Sequence, residues 1–155
     1  MLLPDGRINP EYYVVEYPDW VNVIAITKEG KFVMERQYRH AVGMTCYELP
    51  CGVMEVGETP LEAAKRELME ETGYGEGEWK ELMLITPNPN PSSMSNFTHC
   101  FLATGVEKAG ETHLDATEEL EVHLLEREEV LTLLRENRLI QSLMISPLLK
   151  YFSGI

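Results

Sequence analysis

The hydrophobic positions of this chain fall into two regimes. Val21 to Thr27 is rich in Val and Ile and reads as a buried strand. Lys28-Glu29-Gly30-Lys31 is a turn, and Phe32 to Tyr38 returns as a second strand. Tyr12 to Glu16, Cys46 to Leu49, Trp79 to Thr86, Phe97 to Thr104 and Leu120 to Leu125 carry the same signature in shorter form. Between the strands the spacing changes. Leu61, Ala64 and Leu68 fall at helical intervals. Thr59 is placed to cap that helix, Pro60 suits its first position, and Glu62 completes a capping box. Gly73 suits a left-handed terminator, so the pattern predicts a helix over 60–72. Glu126 to Glu136 and Leu139 to Tyr151 predict two closing helices, and Pro87 to Ser93 is too rich in Pro and Asn for regular structure. Strands outnumber helices and are mixed with them in order, which predicts α+β or α/β architecture with a mixed sheet. No repeat or linker divides the chain. One domain over residues 1–155 is expected, with 1–18 as an N-terminal arm.

Composition narrows the partners. Hydrophobic residues make up 44% and charged ones 25%, an ordinary globular mixture, and no apolar run is long enough to span a bilayer. Cys46, Cys51 and Cys100 are an odd set with no zinc spacing, and no leader is visible. A cytoplasmic protein with reduced thiols is expected. The net charge of -13 argues against nucleic-acid binding through the phosphate backbone. Any phosphate-bearing substrate would need cations to mediate.

Chemistry concentrates between Gly52 and Tyr74. On a helical wheel with Glu67 at zero, Glu71 lies near +40° and Glu70 near -60°. Three carboxylates therefore share a face, beside the apolar stripe of Leu61, Ala64 and Leu68. Such crowding costs an exposed helix about 0.2–0.5 kcal/mol per pair, and more at the rim of a buried surface. Magnesium relieves it, being a hard cation that takes oxygen ligands and bridges carboxylate to phosphate. A solvated acidic face with Glu62–Arg66 and Arg66–Glu70 ion pairs is the plain alternative.

Gly52, Glu58, Arg66, Glu67, Leu68, Glu70, Glu71, Gly73 and Tyr74 fit G-x5-E-x7-R-E-U-x-E-E-x-G-U, where U is bulky and apolar. Seven fixed residues match by chance on the order of once in 10^8 windows. The segment resembles the Nudix box, and the resemblance implies an α/β/α sandwich: a Nudix-type mixed β-sheet flanked by helices. It implies hydrolysis of a nucleoside diphosphate linked to another group, dependent on Mg2+, with Mn2+ able to substitute. Carried over, Glu67, Glu70 and Glu71 would be metal ligands, joined by the backbone carbonyl of Cys51. Arg66 would orient a carboxylate and pair with Glu58. The catalytic set would be Glu70, Arg66 and a general base outside the box. Glu118 suits the base best and Glu119 comes second, in a segment resembling the catalytic loop of ADP-ribose pyrophosphatases.

Three further segments resemble that subfamily. Arg36-Gln37-Tyr38-Arg39 is similar to a strand end that presents arginine to substrate, so Arg39 and Arg36 would bind it. Pro89 and Pro91 follow the box at the subfamily's distance, with Pro89 counted in the substrate site, and Asn96 to Ala103 resembles the strand that follows. Those enzymes commonly carry a longer N-terminal region that swaps across a dimer. Only some eighteen residues precede the first long strand here, a departure from that pattern, and a homodimer, if formed, would use residues 1–18 as its arm. His40, His99, His113 and His123 show no metal spacing and read as structural. ADP-ribose or a nucleotide sugar is the expected substrate. Noncanonical nucleoside triphosphate hydrolysis and nucleotide-sugar sensing without turnover remain open alternatives.

Overall fold

A computed structural model describes residues 1–85, 93–114 and 119–154. Within them the strands are β1 (Trp20–Thr27), β2 (Phe32–Arg39), β3 (Met44–Glu48), β4 (Cys51–Val53), β5 (Tyr74–Gly75), β6 (Glu78–Ile85), β7 (Thr98–Lys108) and β8 (Leu120–Leu125). The helices are α1 (Pro60–Thr72), α2 (Arg127–Arg135) and α3 (Ser142–Ser153). All the strands join one mixed sheet whose main path runs β3-β2-β1-β7-β5, with β4 beside β1, β6 beside β7 and β8 beside β2. The β1–β7 pair is parallel and the others are antiparallel.

Strand alternation sends side chains into two separate cores. Val21, Val23, Ala25 and Val33 pack with Ala63, Ala64 and Leu68 of α1. Ile24, Ile26, Phe32 and Met34 pack with Val130 and Leu133 of α2 and with Met144 and Leu148 of α3. The sheet is thus sandwiched between α1 and the α2/α3 layer, as the resemblance implies.

α1 begins and ends where the sequence predicts. Thr59 Oγ1 accepts from the Glu62 N–H at 3.4 Å, and Glu62 Oε2 accepts from the Thr59 N–H at 2.8 Å. Gly73 takes φ 68°, and its N–H donates to the Met69 carbonyl at 2.7 Å. A side chain at Gly73 would also strike the Gly110 carbonyl, so glycine is required there twice over.

Some expectations need correction. Leu61 is 38% exposed, whereas Ala63 and Glu71 join Ala64 and Leu68 in the buried face. On the same wheel Ala63 lies near -40° and Glu71 near +40°, so the docked face is rotated from the predicted stripe toward the carboxylates. Tyr12 to Glu16 forms no strand. Val15 alone bridges Met94, and Tyr13 is 82% exposed. β7 continues past Thr104 to Lys108 because Gly105 takes a positive φ and the β1 register slips there. No helix among the described residues is long and apolar enough to cross a membrane.

Candidate active site

The site is assembled where β4 delivers the chain to α1. Cys51 pairs with Asn22 and Gly52 with Val21, which lays the Cys51–Val53 backbone along the edge of β1. The Cys51 N–H then donates to Glu71 Oε2 at 2.8 Å. That bond explains how a carboxylate with 7% exposure is tolerated in the docked face of α1. Gly52 makes the second contact. A Cβ there would come within 2.5 Å of Glu67 Oε2 and nearer still to Oε1 and Cδ. The glycine at the head of the motif leaves the space in which the Glu67 carboxylate lies.

Arg66 gathers the acids. Its Nε donates to Glu58 Oε1 at 2.8 Å and one terminal nitrogen to Glu58 Oε2 at 3.0 Å. That nitrogen also donates to the Val53 carbonyl at 3.0 Å. The other terminal nitrogen reaches Glu67 Oε1 at 2.8 Å and Glu70 Oε2 at 3.1 Å. Hydrogen bonding to Glu58, then to Glu67 and Glu70, raises the Arg66 pKa and keeps it charged. In return, the Arg66 guanidinium holds the Glu58 carboxyl below its ordinary value. The predicted Arg66–Glu58 pair is therefore present, and the plain i,i+4 pair to Glu70 is one member of a larger fork.

Arg66, Glu67, Glu70 and Glu71 line a cavity of about 410 Å³, and Glu58 holds Arg66 from outside it. Glu55, Glu67, Glu70 and Glu71 face it against Arg66 and Arg39, an excess of negative charge. Arg39 is held from behind: Nε donates to Glu48 Oε1 at 2.8 Å and a terminal nitrogen to Glu48 Oε2 at 2.5 Å. Glu48 is almost fully buried, and this bidentate bond is the main cause of the raised Arg39 pKa. The pair fixes a guanidinium at the cavity wall. Burial pushes the Cys51 thiol well above its ordinary pKa, with the neighbouring carboxylates adding to the effect. Its sulfur belongs to the α3-side core, so only its backbone can serve the cavity.

Glu67, Glu70, Glu71, Arg66, Cys51 and Arg39 are thus brought to one cavity. Arg36 is not. It sits on the other face of β2, beside Glu121 at 3.4 Å and over the Tyr47 ring. Glu119 is exposed ahead of β8 and does not line the cavity. Pro89 and Glu118 lie outside the described residues. Sequence reading missed Glu48 as the anchor of Arg39. It also missed His113, which lines the cavity after its N–H donates to the Glu70 carbonyl at 2.7 Å. Neither stands at a motif spacing; strand register places the first and a loop laid over the end of α1 places the second.

The donor set fits a hard cation of the magnesium kind. Among the described residues no three His, Cys, Asp or Glu side chains form a ready-made cage. Magnesium does not require one, because it keeps several waters and takes one or two carboxylates together with substrate phosphate.

The NUDIX domain family model matches residues 16–144, and this chain belongs to the Nudix family of hydrolases acting on pyrophosphate bonds. It is 38% identical over 133 residues to an ADP-ribose pyrophosphatase of Bacillus subtilis, covering 84% of this chain and 70% of that protein. It is 36% identical over 143 residues to the methanol dehydrogenase activator of Bacillus methanolicus, covering 90% and 75%. The crystal structure of an ADP compounds hydrolase superimposes with a TM-score of 0.76 over 88% of this chain and 71% of that one. At 21% identity it speaks for the fold alone.

Proposed function

We propose that this chain hydrolyses the pyrophosphate bond of a nucleoside diphosphate joined to a second group, ADP-ribose or a nucleotide sugar, with Mg2+ as cofactor. The observation that carries the reading is the Gly52 gap filled by the Glu67 carboxylate, with Glu70 and Glu71 lining the same cavity. The ADP-ribose pyrophosphatase relatives support the substrate class.

Glu67, Glu70 and Glu71, with the Cys51 carbonyl, would hold the cation. When bound, it neutralises phosphate charge, orients the group under attack and lowers the pKa of a water. Arg66 keeps Glu67 and Glu70 from springing apart in an acidic cavity. Arg39, fixed by Glu48, offers a phosphate or ribose two parallel donors at most, since two of its nitrogens already serve Glu48. Water adds to one phosphorus, the bridging oxygen leaves with the other, and two monoesters result. Glu118 is the proposed acceptor of the water's proton.

Incubation with Mg2+ and a panel of ADP-ribose, nucleotide sugars, dinucleoside polyphosphates and nucleoside triphosphates tests this. AMP and ribose 5-phosphate should appear from ADP-ribose, or the matching monophosphate pair from a nucleotide sugar. Pyrophosphate from triphosphates alone, or binding without products, would refute it.

A further inference from the structure

The end of α1 that carries Glu70 and Glu71 is gripped by the chain leaving β7. Lys108 Nζ donates to the Thr72 carbonyl at 2.8 Å. The Ala109 and Gly110 N–H groups donate to the Gly73 carbonyl at 2.8 and 3.1 Å, and the His113 N–H donates to the Glu70 carbonyl at 2.7 Å. Carbonyls at a helix C-terminus have no partner within the helix, and this segment supplies one. The anchorage brings the exposed His113 side chain to the wall of the acidic cavity. Neither nitrogen of its ring has a hydrogen-bond partner among the described residues. A count of donors gives that imidazole a purpose. Glu58, Glu67, Glu70 and the Val53 carbonyl take all five N–H groups of Arg66, which leaves none for a substrate. Arg39 has committed two nitrogens to Glu48 and stands at one end of the carboxylate row. Glu48 is the main cause of its raised pKa, and Cys51 and Glu71 add to it, which places Arg39 on the Glu71 side. His113 stands on the Glu70 side, roughly 100° away around α1. A diphosphate laid along the row turns one phosphate toward Arg39 and the other toward His113.

We propose that His113 is a substrate-binding residue, whose ring N–H donates to an oxygen of the phosphate that Arg39 does not hold. The role rests on the nucleotide-hydrolase reading above and adds a second grip on the diphosphate. Either ring nitrogen can serve, so the tautomer does not decide the matter.

Calorimetric titration with Mg2+ and non-hydrolysable, methylene-bridged analogues of ADP-ribose and of a nucleotide sugar tests the contact apart from turnover. His113→Phe keeps a ring and the backbone N–H to Glu70 but removes both ring donors. It should weaken analogue binding about tenfold or more, as for a hydrogen bond to a charged group, and raise KM in step. His113→Gln restores a side-chain N–H and should recover most of the loss. Mn2+ uptake, followed by electron paramagnetic resonance, should be the same in wild type and both variants, because the Glu70 carbonyl keeps its backbone partner. The side chain is exposed, so both variants should fold, and circular-dichroism melts check this. Unchanged affinity in folded His113→Phe, or His113→Gln no better than His113→Phe, would overturn the proposal. A matching loss of Mn2+ uptake would also overturn it, since His113 would then act through the metal site. No binding of either analogue by wild type would do the same. Analogue binding that depends on His113, without hydrolysis of any diphosphate, would remove the proposed activity and keep the contact. Turnover of ADP-ribose by His113→Phe at the wild-type KM would do the reverse.

Discussion

Gly52→Ala tests the geometry with a single methyl group. The added Cβ would lie within 2.5 Å of Glu67 Oε2, where ordinary contact needs about 3.4 Å. The carboxylate must therefore retreat by roughly 1 Å, out of the cavity and away from Arg66. Misplacing a reacting or ligating group by about 1 Å costs on the order of 100-fold in rate, or roughly 2.7 kcal/mol of barrier. The fold should tolerate the change. Gly52 does not hold a positive φ, so alanine meets no backbone strain. Its smaller unfolded-state entropy offers about 0.4–1 kcal/mol, set against a loosened Arg66–Glu67 pair of similar worth. Steady-state kinetics with Mg2+ and ADP-ribose should show kcat down about 100-fold, while the thermal midpoint moves by only a few degrees, roughly. Wild-type kcat in a folded Gly52→Ala protein would refute the reasoning, because the carboxylate position would then not matter.

Glu48→Gln removes the bidentate acceptor behind Arg39. It should lower kcat/KM about tenfold, mostly through KM if Arg39 grips substrate and transition state alike. A fall in kcat alone would place Arg39 at the reacting phosphate. Glu58→Gln removes the charge that anchors Arg66 and should cost about 1.5–3 kcal/mol at neutral pH, or roughly 3–10 °C in Tm. The Glu58 pKa is lowered in the folded protein by its hydrogen bond to Arg66. Its stabilisation is therefore complete above the ordinary carboxylate value of 4.5 and is lost as pH falls through the folded value. Denaturant titrations should show the gap between the two proteins narrowing as pH falls below 4.5, and a gap that does not narrow in acid would contradict this.

Short-range signals were legible in the sequence and long-range placement was not. Thr59, Glu62 and Gly73 act within one turn of the residues they cap, and α1 has the predicted bounds. The azimuth at which α1 docks depends on β1 and β7. That is why Leu61 was misjudged as buried and Glu71 was placed at a rim, although its carboxylate lies under the Cys51 amide. Tyr12 to Glu16 has the composition of a strand, but only Val15 finds a bridging partner among the described residues. β4 and β5 are three and two residues long, too short for any period to register. The motif identified the members of the acidic cluster correctly as neighbours. Arg36 and Arg39, three positions apart on one strand, face opposite layers of the sandwich, and placing both at the substrate overlooked a period that the sequence carries. The alternation of β2 alone separates them.

Manganese binding followed by electron paramagnetic resonance addresses the acidic ridge directly, since free Mn2+ gives a signal that disappears on coordination. Titration into wild-type protein should deplete that signal. Glu67→Gln and Glu71→Gln, both still folded by circular dichroism, should each weaken the uptake at least tenfold, roughly the loss expected for one ligand. An undiminished signal in wild type, or equal uptake by all three proteins, would show that these carboxylates serve Arg66 and the Cys51 amide and nothing more.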